Sequence, residues 1–215
     1  MRMIIRNHNY IDLILVGTTR RKENKMKTNL NNMNQILFVV DMVNGFCKEG
    51  AMADQSIMHI VKPIQELCEK IKPENRYFIA DTHGVNDIEF TAFPQHCVKG
   101  EVESEVIDEL KPYIQTPIIE KNSTNAFHAM KDHPALKDSE IDAYIITGCC
   151  SDICVLQFAL TLKTYLNAQN IDKKVIVPKN AIETYNAPGH DAKQMNEVSY
   201  NLMKAAGIIV VDELN

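Results

Sequence analysis

Three cysteines lie within six positions of the segment GCCSDICVLQ, residues 148–157. The segment follows the apolar run DAYIITG and precedes a longer amphipathic run, so we expect it at the junction of a strand and a helix. Cys154 would then lie in the first turn of that helix, where the partial positive charge of the N-terminus lowers the pKa of a thiol. The pattern predicts a nucleophilic cysteine, and the alternative is a small core residue.

Two ionisable residues end other apolar runs. Asp41 closes ILFVVD (36–41), and Lys121 closes TPIIEK (116–121). Taken singly, Asp41 is equally suited to capping a helix or anchoring a loop, and a lysine at a strand end is usually solvated. With Cys154 at the same edge of one sheet, the three predict an activated nucleophile. Asp41 would take the thiol proton, and Lys121 would hold the thiolate and the ion pair in place.

The segment DTHGVNDIEFTAFPQHC, residues 81–97, has the residue types of a metal site. Asp81 and His83 are two positions apart, so their side chains share a face of an extended chain. Glu89 and His96 follow at short range. Two imidazoles and two carboxylates suit zinc, iron or manganese. The alternative is a polar loop in which the histidines are incidental.

The elements that must position these residues alternate along the chain. Apolar runs predict strands at 36–41, 76–81, 116–121, 142–148, 173–178 and 207–212, and amphipathic runs predict helices at 56–71, 103–110, 152–168 and 191–206. This alternation predicts an α/β fold, a three-layer sandwich with a central, mostly parallel six-stranded sheet. Ligands of such sheets bind beyond the carboxyl ends of the strands, which is where the residues discussed above are expected.

Length and charge bound the domain organisation. The chain has 215 residues, 45% of them hydrophobic, which suits one domain at 35–215. Residues 1–34 contain seven basic and two acidic residues, whereas the rest contains 16 basic and 26 acidic ones. An acidic body argues against nucleic-acid binding. We interpret 1–34 as a poorly ordered basic extension without a function of its own, the alternative being an arm that binds nucleic acid or a membrane.

Targeting signals are not evident. The N-terminal apolar run is short and interrupted by Asp12, and it lacks the small-residue cleavage site of a secretory signal. No stretch approaches the roughly 20 apolar residues of a membrane span. The six cysteines do not have the spacing of a secreted disulfide scaffold. We therefore expect a cytoplasmic protein with reduced thiols and with neither a membrane nor a nucleic-acid partner.

Five motifs together resemble a known family. VVDMVNGF, IADTH, FPQHCVKG, EKNSTNAF and GCCSDICVLQFA, in this order, are similar to motifs of the isochorismatase-like cysteine hydrolases, and most similar to those of nicotinamidases, also called pyrazinamidases. The resemblance extends from about Ile36 to the C-terminus. It implies an isochorismatase-like hydrolase domain over 35–215.

The resemblance also assigns the catalytic residues. It implies a triad of Asp41, Lys121 and Cys154, because the nucleophile is the last cysteine of the motif, the one followed by valine. In the family the peptide bond between Cys149 and Cys150 is cis. The backbone amides of Cys150 and Cys154 are then implied to stabilise the oxyanion of the reaction.

The implied metal ligands are Asp81, His83, Glu89 and His96. Many nicotinamidases have a third histidine where this chain reads NDIEF, so Asp87 remains an alternative to Glu89. With Glu89 as the ligand, replacing Asp87 is expected to have little effect. Aromatic residues that pack the substrate ring in the family correspond to Phe46, Phe93 and Phe127, and core packing is the alternative for each.

The implied activity is the metal-dependent hydrolysis of nicotinamide to nicotinate and ammonia. The cofactor would be one divalent ion, with zinc expected and iron or manganese as alternatives, and self-association into a homo-oligomer is expected from the relatives. One alternative is a related cysteine hydrolase acting on another small amide, or an isochorismatase-type enzyme. A non-catalytic thiol or redox role for Cys149, Cys150 and Cys154 is a further alternative, but it leaves Asp41 and Lys121 unexplained.

Overall fold

The computed structural model describes residues 33–214, so the prediction for the basic extension lies outside the described residues except for Met33 and Asn34. The strands are β1 (Gln35–Val40), β2 (Arg76–Asp81), β3 (Ile119–Lys121), β4 (Ala143–Cys149), β5 (Lys174–Pro178), β6 (Ile182–Glu183) and β7 (Ile209–Val211). The α-helices are α1 (Asn44–Cys47), α2 (Val61–Lys70), α3 (Phe127–Met130), α4 (Pro134–Lys137), α5 (Cys154–Ala168) and α6 (Ala192–Ala205). None of the helices in this part of the chain is both long and apolar enough to span a membrane.

The strands form one sheet in the order β3-β2-β1-β4-β5-β7, and β6 pairs with β4. Every pairing is parallel. The six predicted strands are the six of the continuous path, which confirms the α/β architecture. The seventh strand, β6, has two residues, too few for an apolar pattern to reveal it.

Two cores cover the two faces of the sheet. Leu37 and Val39 of β1 pack in one core with the apolar face of α2, whereas Phe38 packs in the other core with α5. This division follows from the alternation of side chains along a strand. The ring of Phe38 lies 5.3 Å from that of Phe158 in an edge-to-face contact. The result is the predicted three-layer sandwich.

The predicted helix at 103–110 is wrong. This stretch contains a short 3-10 turn, Val102–Ser104, followed by irregular chain. Its backbone is hydrogen-bonded to the segment after β1: Asn44 N–H donates to Glu105 O over 2.9 Å, and Ile107 N–H donates to Met42 O over 3.0 Å. Tertiary hydrogen bonding therefore overrides the local helical pattern.

Two other predicted elements are shorter than expected. The helix predicted at 56–71 begins as a 3-10 helix, Gln55–Ile60, and only then continues as α2. The strand predicted at 116–121 is reduced to β3, because only Ile119–Lys121 pair with β2. The pairing sets Lys121 directly opposite Asp81, at the carboxyl edge of the sheet.

Gly148 allows β1 and β4 to approach closely at the same edge. It has a φ of +107°, which L-residues rarely adopt, and a Cβ atom at this position would lie 1.9 Å from the carbonyl oxygen of Val40. Only glycine fits a backbone that is both left-handed and this close to its neighbour. The residue directly before the cysteine cluster is therefore fixed by backbone packing.

We expect Gly148→Ala to destabilise the protein by more than about 4 kcal/mol, since the methyl group must displace the backbone of β1. Gly100→Ala is the matched control, because Gly100 also has a positive φ, +86°, but no heavy atom within 4 Å of the added Cβ. The control should cost only about 1–2 kcal/mol. Urea unfolding of both variants measures the difference. Equal losses would show that the contact with Val40 is unimportant.

Candidate active site

The predicted catalytic residues Asp41, Lys121 and Cys154 meet beyond the carboxyl ends of β1, β3 and β4. Asp41 directly follows β1 and has a left-handed backbone conformation, with a φ of +53°. Aspartate tolerates this conformation better than most residues. Its N–H donates to Ile79 O of β2 over 2.9 Å, which anchors the chain as it leaves the strand. Sequence reasoning did not foresee this conformation, because the pattern showed only a strand end.

Lys121 links two buried carboxylates. Its Nζ lies 2.9 Å from Asp41 Oδ2 and 2.5 Å from Asp81 Oδ1. Burial alone would lower the pKa of Lys121, but the surrounding Asp41, Cys154 and Asp81 raise it well above its usual range. The side chain is therefore an ammonium, and it compensates the two carboxylates that would otherwise repel each other in a buried site.

Asp41 has the properties of a proton acceptor. Burial raises its pKa to about 6, against the opposing effect of Lys121 and with a further increase from Asp81. Neither carboxylate oxygen accepts a well-aligned hydrogen bond from residues 33–214, although Lys121 contacts Oδ2 as an ion pair. At neutral pH the side chain is thus ionised but more basic than an ordinary aspartate, which suits general base catalysis.

Cys154 is the first residue of α5, and its side chain lines a cavity with Asp81 and His96. Burial raises the pKa of the thiol well above its usual range, Lys121 lowers it and Asp41 raises it. The helix N-terminus was expected to lower the pKa of Cys154, but burial outweighs this effect and the pKa is raised. The resting group is a thiol, so its reaction requires a proton acceptor beside it.

Cys149 and Cys150 occupy different positions from Cys154. The Cys149 thiol donates to Asp41 O over 3.1 Å and does not line the cavity, whereas Cys150 does line it. The peptide bond between Cys149 and Cys150 is cis, as the family resemblance implied. Within residues 33–214, neither the Cys150 N–H nor the Cys154 N–H donates a hydrogen bond to a backbone oxygen. Both amides are available to an oxyanion at the cavity.

Three of the four predicted metal ligands converge beside the nucleophile. Asp81 Oδ2 lies 2.9 Å from His83 Nε2 and 3.0 Å from His96 Nε2. One potential ligand atom from each of these three buried residues lies within 4.8 Å of the others. Asp81 therefore contacts Lys121 with one oxygen and both imidazoles with the other.

The outer nitrogen of each imidazole also has a partner. His83 Nδ1 lies 3.0 Å from Asp87 Oδ2, and His96 Nδ1 lies 2.7 Å from Pro94 O. Because both partners are hydrogen-bond acceptors, a neutral ring donates from Nδ1 and directs the lone pair of Nε2 at Asp81. Three acceptor atoms that converge in this way fit a divalent cation, and histidine ligands are commonly oriented by such outer contacts.

The structure separates the two candidates for a fourth ligand. Glu89 lines the cavity with Asp81 and His96, although it lies outside the group of three converging ligands. Asp87 instead lies behind His83. Burial and the nearby Asp81 raise the pKa of Glu89. Glu89 as a metal ligand stays a prediction, whereas the position of Asp87 indicates a role in orienting His83.

Two of the three predicted aromatic residues face the cavity. Phe46 and Phe93 line it, with ring centroids 5.5 Å and 6.3 Å from that of His96. Phe127 is not among the lining residues, because its ring packs against Tyr165 of α5 at 5.1 Å. The cavity is also lined by residues in loops that no sequence pattern identified: Met52, Thr124 and Ile153.

The cavity is narrow. Its volume is about 20 Å³, close to that required by one water molecule. A ring-sized ligand therefore requires the lining side chains to move apart.

Thr124, in the loop after β3, is connected to α5 by a hydrogen bond of 2.9 Å to Gln157.

Comparisons with known proteins show similarity to one family. The model of the family described as "Isochorismatase domain" matches residues 35–211. Nicotinamidase 1 of Arabidopsis thaliana is 25% identical in an alignment 213 positions long, and this alignment covers 83% of this chain and 86% of the relative.

Two solved structures have the same architecture. A nicotinamidase/pyrazinamidase from Acinetobacter baumanii is 25% identical, with a TM-score of 0.70, and the match covers 84% of this chain and 97% of that one. The N-carbamoylsarcosine amidase from Thermoplasma acidophilum is 26% identical, with a TM-score of 0.67, and the match covers 83% and 96%. The similarity thus extends over nearly the whole of both neighbours.

Replacing Asp87 should weaken metal binding, contrary to the expectation from sequence alone. Asp87→Ala removes the acceptor that orients His83, and loss of such a contact typically costs about 10–100-fold in metal affinity. Asp87→Asn is the matched control, because its amide oxygen can still accept the hydrogen bond from Nδ1. Zinc affinity is measured by competition with a chelator. Unchanged affinity in Asp87→Ala would show that the contact does not support the site.

Proposed function

The chain belongs to the isochorismatase family, since the family model covers residues 35–211, and on that basis we propose that it is a metal-dependent nicotinamidase, which hydrolyses nicotinamide to nicotinate and ammonia. One observation carries the proposal: the cavity that contains the thiol of Cys154 is also lined by Asp81 and His96, two of the three candidate metal ligands. A nucleophile and a Lewis-acid site on one cavity suit an amide attached to a ring that has a metal-binding nitrogen.

The first half of the reaction forms a thioester. Cys154 Sγ attacks the carboxamide carbon as its proton passes to Asp41, and the amides of Cys150 and Cys154 donate to the developing oxyanion. Asp41 then returns the proton to the leaving nitrogen, which departs as ammonia. Lys121 remains an ammonium throughout and favours the ionised form of Asp41 before each proton is accepted.

The second half consumes water. Asp41, again a carboxylate, accepts a proton from a water molecule that attacks the thioester carbon, and the C–S bond breaks to release nicotinic acid, which loses its remaining proton to solvent and becomes nicotinate. The proton on Asp41 returns to the sulfur, which restores the starting state. The same residue thus acts as base and acid in each half of the reaction.

The candidate metal ligands would bind the ion beside this nucleophile. Asp81, His83 and His96 provide one oxygen and two nitrogens, a set that suits zinc, iron or manganese, and Glu89 offers a further oxygen. When bound, the ion supplies a Lewis acid for the pyridine nitrogen. Phe46 and Phe93 would then contact the ring.

The charge of the cavity favours a neutral substrate. Its acidic lining residues are Asp81 and Glu89, and no lysine or arginine is among the lining residues of the described part of the chain. A neutral carboxamide suits this lining. N-carbamoylsarcosine, the compound named for the Thermoplasma neighbour, contains a carboxylate, for which these lining side chains offer no lysine or arginine partner.

A redox role is less well supported by the same geometry. Oxidation of cysteine by peroxides requires the thiolate. Burial raises the pKa of Cys154 well above its usual range, and contacts with Cys150 and Cys47, together with burial, do the same for Cys149. A thiol sensor would also leave the buried Asp41–Lys121 ion pair without a purpose.

The proposal is tested by ammonia release from nicotinamide, with the full chain loaded with zinc, iron or manganese and again after treatment with a chelator. Cys154→Ala should lower kcat by at least about 10³-fold, because it removes the nucleophile. Cys149→Ala is the matched control and should keep most of the activity, and Cys150→Ala should lie between them, since its amide rather than its thiol is proposed to act.

A substrate panel makes the assay decisive. Nicotinamide, pyrazinamide and N-carbamoylsarcosine are compared under identical conditions. Hydrolysis of N-carbamoylsarcosine without hydrolysis of nicotinamide would contradict the proposed substrate. Full activity after removal of the metal would contradict the proposed dependence on it.

The value of kcat/KM for nicotinamide should fall below about pH 6. Asp41 must be ionised to accept the thiol proton, and its pKa is raised to about 6. Activity is therefore present above this pH and decreases about tenfold per unit below it. Bound metal is measured at each pH, so that metal loss is not mistaken for protonation of Asp41. A flat profile down to pH 5 with the metal retained would show that Asp41 is not the base.

A further inference from the structure

Asp152 lies between the two cysteines whose amides face the cavity, and its carboxylate has one partner. The side chain is only 5% exposed, and Oδ2 lies 2.8 Å from His190 Nε2. Oδ1 is buried, and no hydrogen-bond partner for it exists among residues 33–214. The contact with His190 is therefore the only hydrogen bond that the described residues provide to this carboxylate.

His190 is itself fixed in position. Its Nδ1 lies 2.9 Å from the carbonyl oxygen of Tyr185, and its ring stacks on the Tyr185 ring at 3.9 Å with an interplanar angle of 3°. The backbone closes a tight turn, in which His190 and Ala187 exchange two hydrogen bonds of 2.9 and 3.0 Å. The imidazole is thus held in one orientation between Tyr185 and Asp152.

The neighbouring Ser151 is attached to the same part of the fold. Its N–H donates to Glu183 O of β6 over 2.9 Å, and its hydroxyl donates to Asn196 Oδ1 of α6 over 2.5 Å. Ser151 and Asp152 therefore both connect the segment before α5 to the region from β6 to α6. Ser151 does so through its backbone and its hydroxyl, whereas Asp152 does so only through its carboxylate.

We propose that His190 is a positioning residue for the nucleophile segment, defined as residues 150–154. Its contact with Asp152 sets the position of the Cys150 and Cys154 amides and of the Cys154 thiol relative to Asp41. This inference rests on the proposed function in one respect, since it requires Cys154 to be the nucleophile. Without His190, a nearly buried carboxylate loses its partner, and the segment must shift to bring it to solvent.

Such a shift would affect the chemical step more than substrate binding. The amides of the nucleophile segment contact the oxyanion, which develops only in the transition state. Phe46 and Phe93, which would contact the substrate ring, lie on other parts of the chain. Displacing the segment should therefore lower kcat and leave KM nearly unchanged. A merely structural role would instead reduce thermal stability without lowering kcat selectively over KM.

Two substitutions at one position separate the contacts of His190. The amide nitrogen of Gln reaches the position of Nε2, so His190→Gln can still donate to Asp152. The amide of Asn corresponds only to Nδ1, so His190→Asn loses that donor. With nicotinamide, we expect His190→Asn to lower kcat roughly 10- to 100-fold, as a misplacement of about 1 Å would. KM should change by less than about threefold, and His190→Gln should recover most of kcat.

Asp152→Ala breaks the same contact from the other side and provides a second variant if His190→Asn does not fold. The double variant should be no worse than either single one, because both changes remove one interaction. His128→Asn, at an exposed histidine of α3, is the control and should match the wild type. Additive losses in the double variant would overturn the inference.

Hydrogen–deuterium exchange tests the positioning without any substrate. His190→Asn should accelerate amide exchange in a peptide that covers the nucleophile segment, and His190→Gln should not. A wild type that does not hydrolyse nicotinamide would refute the proposed function, and the exchange data would still decide whether His190 holds the segment. Equal exchange in the two variants, or equal kcat where nicotinamide is hydrolysed, would overturn the inference.

Discussion

The ammonium of Lys121, between two buried carboxylates, is the interaction on which both halves of the site depend. Asp41 and Asp81 are 2.9 and 2.5 Å from its Nζ. Without this cation the carboxylates would repel each other, and the already raised pKa of Asp41 would rise further, so that Asp41 would be protonated at neutral pH. Asp81 would likewise lose the positive charge that favours its ionised form, the form in which it contacts His83 and His96. The charge of Lys121 thus links the residues proposed for the thiol chemistry to the candidate metal ligands.

A buried cluster of this kind is costly, and the fold provides the compensation. The strands of the sheet have apolar cores on both faces, and their buried charged residues, Asp81 and Lys121, lie at the carboxyl edge. The parallel pairing of β2 and β3 places Asp81 directly beside Lys121, so that backbone hydrogen bonds rather than flexible side chains determine the distance between the two charges. The left-handed conformation of Asp41 then turns its carboxylate toward the same point.

The sheet and the convergence of Asp41, Lys121 and Cys154 at one edge were predictable because they follow from local patterns. An apolar run that ends in Asp41 or Lys121 predicts both a strand and the edge at which its polar residue lies. The irregular structure at 103–110 was not predictable, since its backbone hydrogen bonds go to residues 42–44, a contact between distant segments. The same holds for the pair of Asp152 and His190, 38 residues apart. The contact of Asp87 with His83 is local, but it depends on a loop conformation that no periodic pattern predicts. The direction of the pKa shift of Cys154 depends on burial, which a sequence pattern does not measure.

The spacing of the catalytic residues along the chain constrains how the site can form during folding. Asp41, Asp81 and Lys121 lie at the ends of three neighbouring parallel strands, and Cys154 opens a helix. Lys121 therefore meets Asp81 only after a loop of 40 residues has closed, and Asp41 only after one of 80 residues has closed. Parallel pairings of this kind are non-local and form late relative to helices. A chain emerging from the ribosome therefore has isolated, solvated charges until Cys154 has been synthesised and its helix has docked. Partly folded forms of the chain contain Asp41, Asp81 and Lys121 but not the buried ion pairs between them.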